Sequence, residues 1–271
     1  MATPGGRFVA VGVDGSPSSE AALDWAAFEA GVRDLPLRIV HADLGGPGSA
    51  GAGRDLLDAA AARVAGRVPD VTTDLVTAPP AEAVLAGSRG AVLVAVGVRG
   101  DHGERHARLG TVATTLVRRA GCPVAVTREP ENTAPGDRVV VGIDPATGSP
   151  GALAFALDEA ALRHLPLVVL AVDTGDATPV AGGPPRTYRA RDAVDAALAA
   201  CAAHPEVRVT PVVEEARSPT LALVGHGHEA ALLVVGARRH DDPELGASVS
   251  GAVLLHAPCT VAVVRDPRLS P

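Results

Sequence analysis

The chain repeats itself, and that constrains its fold more than any other feature. Val11-Gly12-Val13-Asp14 returns as Val141-Gly142-Ile143-Asp144, an offset of 130 residues. The same offset holds through Ala22-Leu23 and Ala152-Leu153, Glu29 and Glu159, and Leu35-Pro36-Leu37 and Leu165-Pro166-Leu167. Further on, Gly97 matches Gly236 and Cys122 matches Cys259, so the second copy has gained nine residues mid-domain and lost two after Gly236. Much of the gain falls in the Gly/Pro-rich stretch 174–185, a loop by composition. Residues 129–136 (Glu-Pro-Glu-Asn-Thr-Ala-Pro-Gly) read as a linker. One folding unit is used twice, giving domains at 1–130 and 137–271.

Within each copy the elements alternate. In the first, Phe8–Val13 is an apolar run ending in Asp-Gly-Ser, and Ser18–Ala30 places Ala22, Trp25, Ala26 and Glu29 at helical spacing, with serines available to cap the start. A strand at Leu37–His41, a helix at Arg54–Val64, a strand at Val71–Val76 and a short helix at Ala81–Ser88 follow. Ala91–Val96 is a continuous apolar run, the pattern of a strand buried on both faces. Val112–Arg119 reads as a helix and Pro123–Val126 as the last strand. The alternation predicts an α/β fold: two tandem doubly wound domains, each a five-stranded parallel sheet with helices on both faces. Such sheets bind ligands beyond the carboxyl ends of their strands, where the winding reverses.

Composition removes several classes of function. The net charge is −7, there is no lysine, and the aromatics are three Phe, one Trp and one Tyr. An acidic chain with so few stacking platforms is not expected to bind nucleic acid. Without lysine there is no Walker phosphate loop and no Schiff-base enzyme. Apolar stretches such as Ala91–Val98 fall far short of the ~20 residues that a bilayer crossing needs, so no membrane partner is expected. The run after Arg7 reads as a first strand, not as a signal peptide. Three cysteines without a CxxC give neither a disulfide framework nor a zinc ribbon. A cytoplasmic protein is the expectation, and the bias toward Ala, Arg, Gly, Pro and Val suggests a high-GC bacterial genome.

Two loops stand at the carboxyl ends where a ligand would bind. One follows the first strand and carries Asp14. The other reads Gly97-Val98-Arg99-Gly100, nine residues, then Gly110-Thr111. Glycines there would let the backbone approach a polyphosphate and adopt positive φ. Thr111 opens a helix whose N–H groups and positive dipole end attract anions. Arg99, Arg105 and Arg108 against Asp101 and Glu104 leave the loop one charge positive. Asp14 also suits a helix N-cap, which competes with a binding role.

These segments, together with the Ala22-Leu-Asp-Trp25 helix and the ending Ala120-Gly-Cys-Pro-Val124, resemble the universal stress protein family. The resemblance is to a tandem bacterial member and covers residues 7–128 and 137–266. It implies an ATP-binding α/β fold with strand order 3-2-1-4-5. It also implies domains packed with pseudo-two-fold symmetry through their last strands, around Val124 and Val261, and a role in stress adaptation or dormancy without efficient turnover. ATP is the implied ligand, with Mg2+, slow hydrolysis, autophosphorylation and a homodimer left open; the protein partner is unknown. Residue by residue, Val13 and Asp14 would meet the nucleoside end, and Ala42, just past the second strand, would offer backbone groups to adenine. Gly97, Val98, Arg99 and Gly100 would line ribose and phosphates, and Gly110, Thr111, Val112 and Ala113 would hold the phosphate tail.

The second copy departs from the pattern. Asp144 is kept, but Gly15-Ser16 becomes Pro145-Ala146. The loop reads Gly236-Ala237-Arg238-Arg239, runs two residues shorter, and returns at Ala247-Ser248, with Gly246 adjacent. Asp144, Gly236, Ser248, Val249 and Ser250 are the corresponding candidates. A structural partner with a decayed site and a site of weak or altered binding both remain open.

Other groups rank lower. His102 and His106, and His226 and His228, read as solvated loop histidines and not as metal ligands. His41 reads as a packed core histidine, and Cys122 and Cys259 as small buried apolar residues. Glu214-Glu215 and Asp241-Asp242 read as solvated charge; no catalytic residue and no metal site is expected. Two other classes compete with a nucleotide-binding regulator. An ATP-using enzyme such as an ATP pyrophosphatase would carry S-G-G-x-D-S after its first strand, where this chain has Asp14-Gly-Ser-Pro-Ser-Ser19. A tandem scaffold binding no nucleotide would have no need of the intact first loop. A dinucleotide dehydrogenase would show G-x-G-x-x-G after a first strand, and neither copy does.

Overall fold

The structure, a computed structural model, describes residues 7–46, 48–99, 109–129, 136–175, 186–237 and 248–265. The chain divides into two compact units, Met1–Asn132 and Thr133–Pro271. The first holds β1 (Val9–Gly12), α1 (Pro17–Val32), β2 (Leu37–Asp43), α2 (Ser49–Val64), β3 (Val71–Thr77), α3 (Pro80–Gly87), β4 (Leu93–Gly97), α4 (Thr111–Arg119) and β5 (Val124–Thr127). Its strands are parallel in the order β3-β2-β1-β4-β5, the order implied by the family resemblance. α1 packs against β1 and β4 and beside α2, while α3 pairs with α4. β1 and β5 are buried along their whole length, whereas β3, at the edge, has only half-buried and exposed positions.

The second unit repeats the plan with β6 (Arg138–Ile143), α5 (Pro150–Arg163), β7 (Leu167–Asp173), α6 (Arg186–Cys201), β8 (Val209–Glu215), α7 (Pro219–Gly227), β9 (Ala230–Gly236), α8 (Val249–His256) and β10 (Val261–Val264). Its order is β8-β7-β6-β9-β10, again parallel. Leu37, Ile39, Leu93 and Leu116 fill one core, and Leu167, Leu170, Leu232, Leu233 and Leu254 the other. Both cores also hold a fully buried glutamate at the same place on the first helix. Glu29 pairs with Arg33, and Glu159 with Arg163 at 3.1 Å.

Some helix boundaries follow from individual caps. Ser16 starts α1 with its hydroxyl accepting from the Ser19 N–H at 3.2 Å, and Pro17 follows at the position where its missing N–H costs nothing. In the second unit Ala146 stands where Ser16 does, has no oxygen to offer, and the helix begins only at Pro150. α1 is tied to α2 by Asp24, which accepts from Arg63 at 2.6 Å and Arg67 at 2.7 Å. The hydrogen bond from Arg63, above all, holds the Asp24 carboxyl below its ordinary range. A carboxylate depressed in the folded state adds stability above its unfolded value, and that stability is lost as pH falls through the folded value. Asp24→Asn is therefore expected to remove up to about 1 kcal/mol at neutral pH, the upper end for an exposed pair, and to remove less as the pH falls into the carboxylate range. Denaturant titrations of the two proteins at neutral and acid pH read the difference.

Candidate functional site

In the first unit the ladders flanking the central strand stop early. β1 pairs with β2 as far as Gly12 beside Val40, and with β4 as far as Val11 beside Ala95. β2 and β4 run on past those points to Asp43 and Gly97, so a crevice opens beyond the end of β1, between its two neighbours. Val13 and Asp14 form its floor. The Val13 N–H donates to the Val40 carbonyl at 2.9 Å, and the Val13 carbonyl accepts from His41 Nδ1 at 2.8 Å. Ala42 lies inside β2, not past it, because β2 stays paired to β3 through Asp43 beside Thr77. Peptide groups alternate sides along a strand. Since Val40 serves β1, the N–H and C=O of Ala42 face the same side, where β1 has ended.

Asp14 leads into α1 without capping it. Its Oδ1 accepts from the Ser16 N–H at 3.0 Å and the Ser16 hydroxyl at 2.6 Å, while Ser16 is the cap. Gly15 between them has φ +82°, which a side chain would strain. Asp14 itself is exposed at the crevice.

The two ends of the glycine-bearing loop meet beside it. The Val98 N–H donates to the Thr127 carbonyl at 2.9 Å, and the Gly110 N–H donates to the Val98 carbonyl at 3.0 Å. Gly97-Val98 and Gly110-Thr111 are thereby brought together, as their proposed shared role requires. The glycines act differently from the expectation. Neither Gly97 nor Gly110 has positive φ, and Gly110 has φ −60°. Gly97 is needed for packing, because a Cβ there would meet the Ser18 main chain at 2.7 Å. The Gly110 N–H is already taken by Val98, so in this segment it is the first-turn N–H groups of α4 that could face an anion. Gly110 gives α4 no side-chain cap, so nothing on the N-cap residue competes for them. Ala113 is buried and can offer only its backbone. The Arg99 Nε is buried and has no hydrogen-bond partner among the described residues. Gly100, Arg105 and Arg108 lie outside the described residues, as do His102 and His106.

Sequence reading missed two residues here. His41 is half-buried and bonded to the site, not packed in the core. Asp43 is buried, and its Oδ1 accepts from the Gly45 N–H at 2.9 Å; that bond, then one from Ser49, holds its carboxyl below the ordinary range. Asp173 makes the same turn with Gly175 at 3.0 Å. The signal was in the sequence: Asp-x-Gly recurs at the repeat offset.

In the second unit the corresponding crevice is shallower where the structure describes it. β6 pairs with β7 through Ile143 beside Ala171, and with β9 through Gly142 beside Val235, one residue further on each side than β1 does. Ser248 caps α8, its hydroxyl accepting from the Gly251 N–H at 3.1 Å and lying 3.3 Å from the Ser250 hydroxyl. Val249 is the first helical residue behind that cap. Asp144 Oδ1 accepts from the Ala146 N–H at 2.8 Å, and Gly236 sits against Ser149, 3.3 Å from where a Cβ would lie to its hydroxyl. Arg238, Arg239, Gly246 and Ala247 lie outside the described residues. His226 is not a solvated loop residue, since it lies in the last turn of α7 and bonds Glu214 at 3.0 Å. Cys122 and Cys259 are half-buried, not fully buried, and burial raises the Cys122 thiol to about 11, so it stays protonated and unreactive. Among the described residues no group of three His, Cys, Asp or Glu could hold a metal, and no helix is long and apolar enough to cross a membrane.

The family model of universal stress proteins matches residues 7–128 and again 136–265. Universal stress protein Rv2005c of Mycobacterium tuberculosis is 34% identical over 288 residues, covering 95% of this chain and 97% of its own. Universal stress protein Rv2623 of the same organism is 32% identical over 257 residues, covering 85% and 86%. Among solved structures, a universal stress protein from Archaeoglobus fulgidus superposes with a TM-score of 0.74 at 17% identity, over 95% of this chain and 98% of that one, a likeness of fold. The chain belongs to the universal stress protein family. It is a tandem member, with the family's domain twice.

Proposed function

We propose that the chain is an ATP-binding regulatory protein of stress adaptation, without efficient turnover, and that the first unit carries the site. The observation that carries the reading is the convergence at the end of β1. An open crevice, the uncapped first turn of α4 and a buried arginine nitrogen seeking an acceptor stand at one place. A triphosphate supplies the negative charge that the α4 N–H groups and Arg99 would hold. The Ala42 backbone would meet the base and Val13 and Asp14 the nucleoside, while Gly97 fixes the strand end that presents Val98 and Arg99. Among the described residues of the site, no side chain is arranged as a nucleophile with its base.

The second unit supports a different reading of itself. Its ladders run one residue further into the corresponding crevice on each side and Ser248 caps the helix N-terminus, which favours a structural partner over a second tight site. The experiment is to denature freshly purified full-length protein and identify what is released by chromatography. ATP or AMP is the expected result. A flavin, or no nucleotide from protein that also fails to take up added ATP, would contradict the proposal.

A further inference from the structure

We propose that His41 is a positioning residue of the first unit's site, holding the β1–β2 ladder open so that the Ala42 N–H is presented to the base. The role rests on the nucleotide reading above and names how one part of that site is made. In a parallel pair, a residue whose N–H donates across the ladder normally has its carbonyl taken by the N–H two residues beyond its acceptor. Val13 donates to Val40, so its carbonyl should accept from Ala42. It does not; the carbonyl accepts instead from the imidazole of His41 at 2.8 Å. A carbonyl only accepts, so Nδ1 carries the proton. The pairing accordingly stops at Gly12 beside Val40.

The second unit supplies the comparison within the same chain. The residue corresponding to His41 is Ala171, which has no donor. There the ladder closes one residue further, with Ile143 paired beside Ala171, and the register returns the Val172 N–H to the Ile143 carbonyl. The imidazole is also held in place from behind. Gly53 of α2 lies against it, at 3.2 Å from a Cβ position to His41 Cδ2, and a side chain there would also meet Leu75 Cδ1 at 2.8 Å. With the imidazole on the Val13 carbonyl, the Ala42 N–H is left facing the crevice, a donor suited to a ring nitrogen of a purine.

Two variants and two probes test this in the full-length chain. His41→Ala copies Ala171, so the strand tolerates it, and it should let Ala42 close onto Val13. His41→Asn keeps a donor at nearly the reach of Nδ1. Without ligand, the Ala42 amide should exchange at least about tenfold more slowly in His41→Ala than in wild type, because it gains a ladder bond. In titrations, His41→Ala should bind ATP about tenfold more weakly, the scale of one lost hydrogen bond. It should bind inorganic triphosphate as wild type does, and His41→Asn should keep most of the ATP affinity. Equal exchange of Ala42 in wild type and His41→Ala, or equal loss of ATP and triphosphate, would overturn the role of His41 alone. Wild type that binds neither probe would overturn the nucleotide reading, and this role with it.

Discussion

Glu29→Ala is expected to destabilise the first unit by about 3–5 kcal/mol, the cost of breaking a buried ion pair from one side. The Glu29 side chain is 0% exposed and that of its partner, Arg33, only 13%, so solvent cannot replace the lost carboxylate. The effect is a desolvation effect and not a measure of attraction. Replacing both partners with apolar residues, Glu29→Met with Arg33→Leu, should therefore recover most of the loss. Trp25, the chain's one tryptophan, lies in α1 one turn before Glu29 and reports unfolding of this unit in a denaturant titration. A loss under about 1 kcal/mol, the range of an exposed pair, would show that the glutamate is not buried as the structure has it.

Gly100→Val is expected to weaken ATP binding by about a hundredfold or more while leaving the unit folded. The sequence places Gly100 in the loop between Arg99 and Gly110, whose two ends the Gly110–Val98 hydrogen bond joins at the crevice. If the backbone there approaches phosphate, a branched side chain removes the space and with it one or two charge-assisted hydrogen bonds, each about 1.5–3 kcal/mol, or roughly tenfold to a hundredfold apiece. Arg239→Ala in the second loop should change affinity less than about twofold, as expected of a group outside the tight site. Titration calorimetry on both variants, with circular dichroism to check the fold, reads the contrast. Unchanged affinity in folded Gly100→Val would remove the loop from the site.

The fold was legible because its signals are local or repeated. The apolar runs of β1, β4 and β5, the serines before α1 and the 130-residue offset all lie on the surface of the sequence. What sequence reading missed depends on partners distant in the chain. β2 runs through Ala42 to Asp43 because β3 pairs with it that far. α2 begins at Ser49, through Gly51 and Gly53, against helix propensity, because Gly53 must lie close to His41 and Leu75. In the site, the positions of Val13, Gly97 and Thr111 were readable from spacing. The reason for glycine at 97, close packing on Ser18, was not, since nothing near 97 in the chain announces Ser18. The bond from His41 to Val13 crosses 28 residues, and only the contrast with Ala171 hinted at it.

The central claim is that one unit binds nucleotide and the other does not. Titration calorimetry of ATP into nucleotide-free, full-length protein tests it most directly. The account predicts close to one tight site per chain, abolished by Gly100→Val. Two equivalent tight sites per chain, or a single site that survives Gly100→Val, would contradict it.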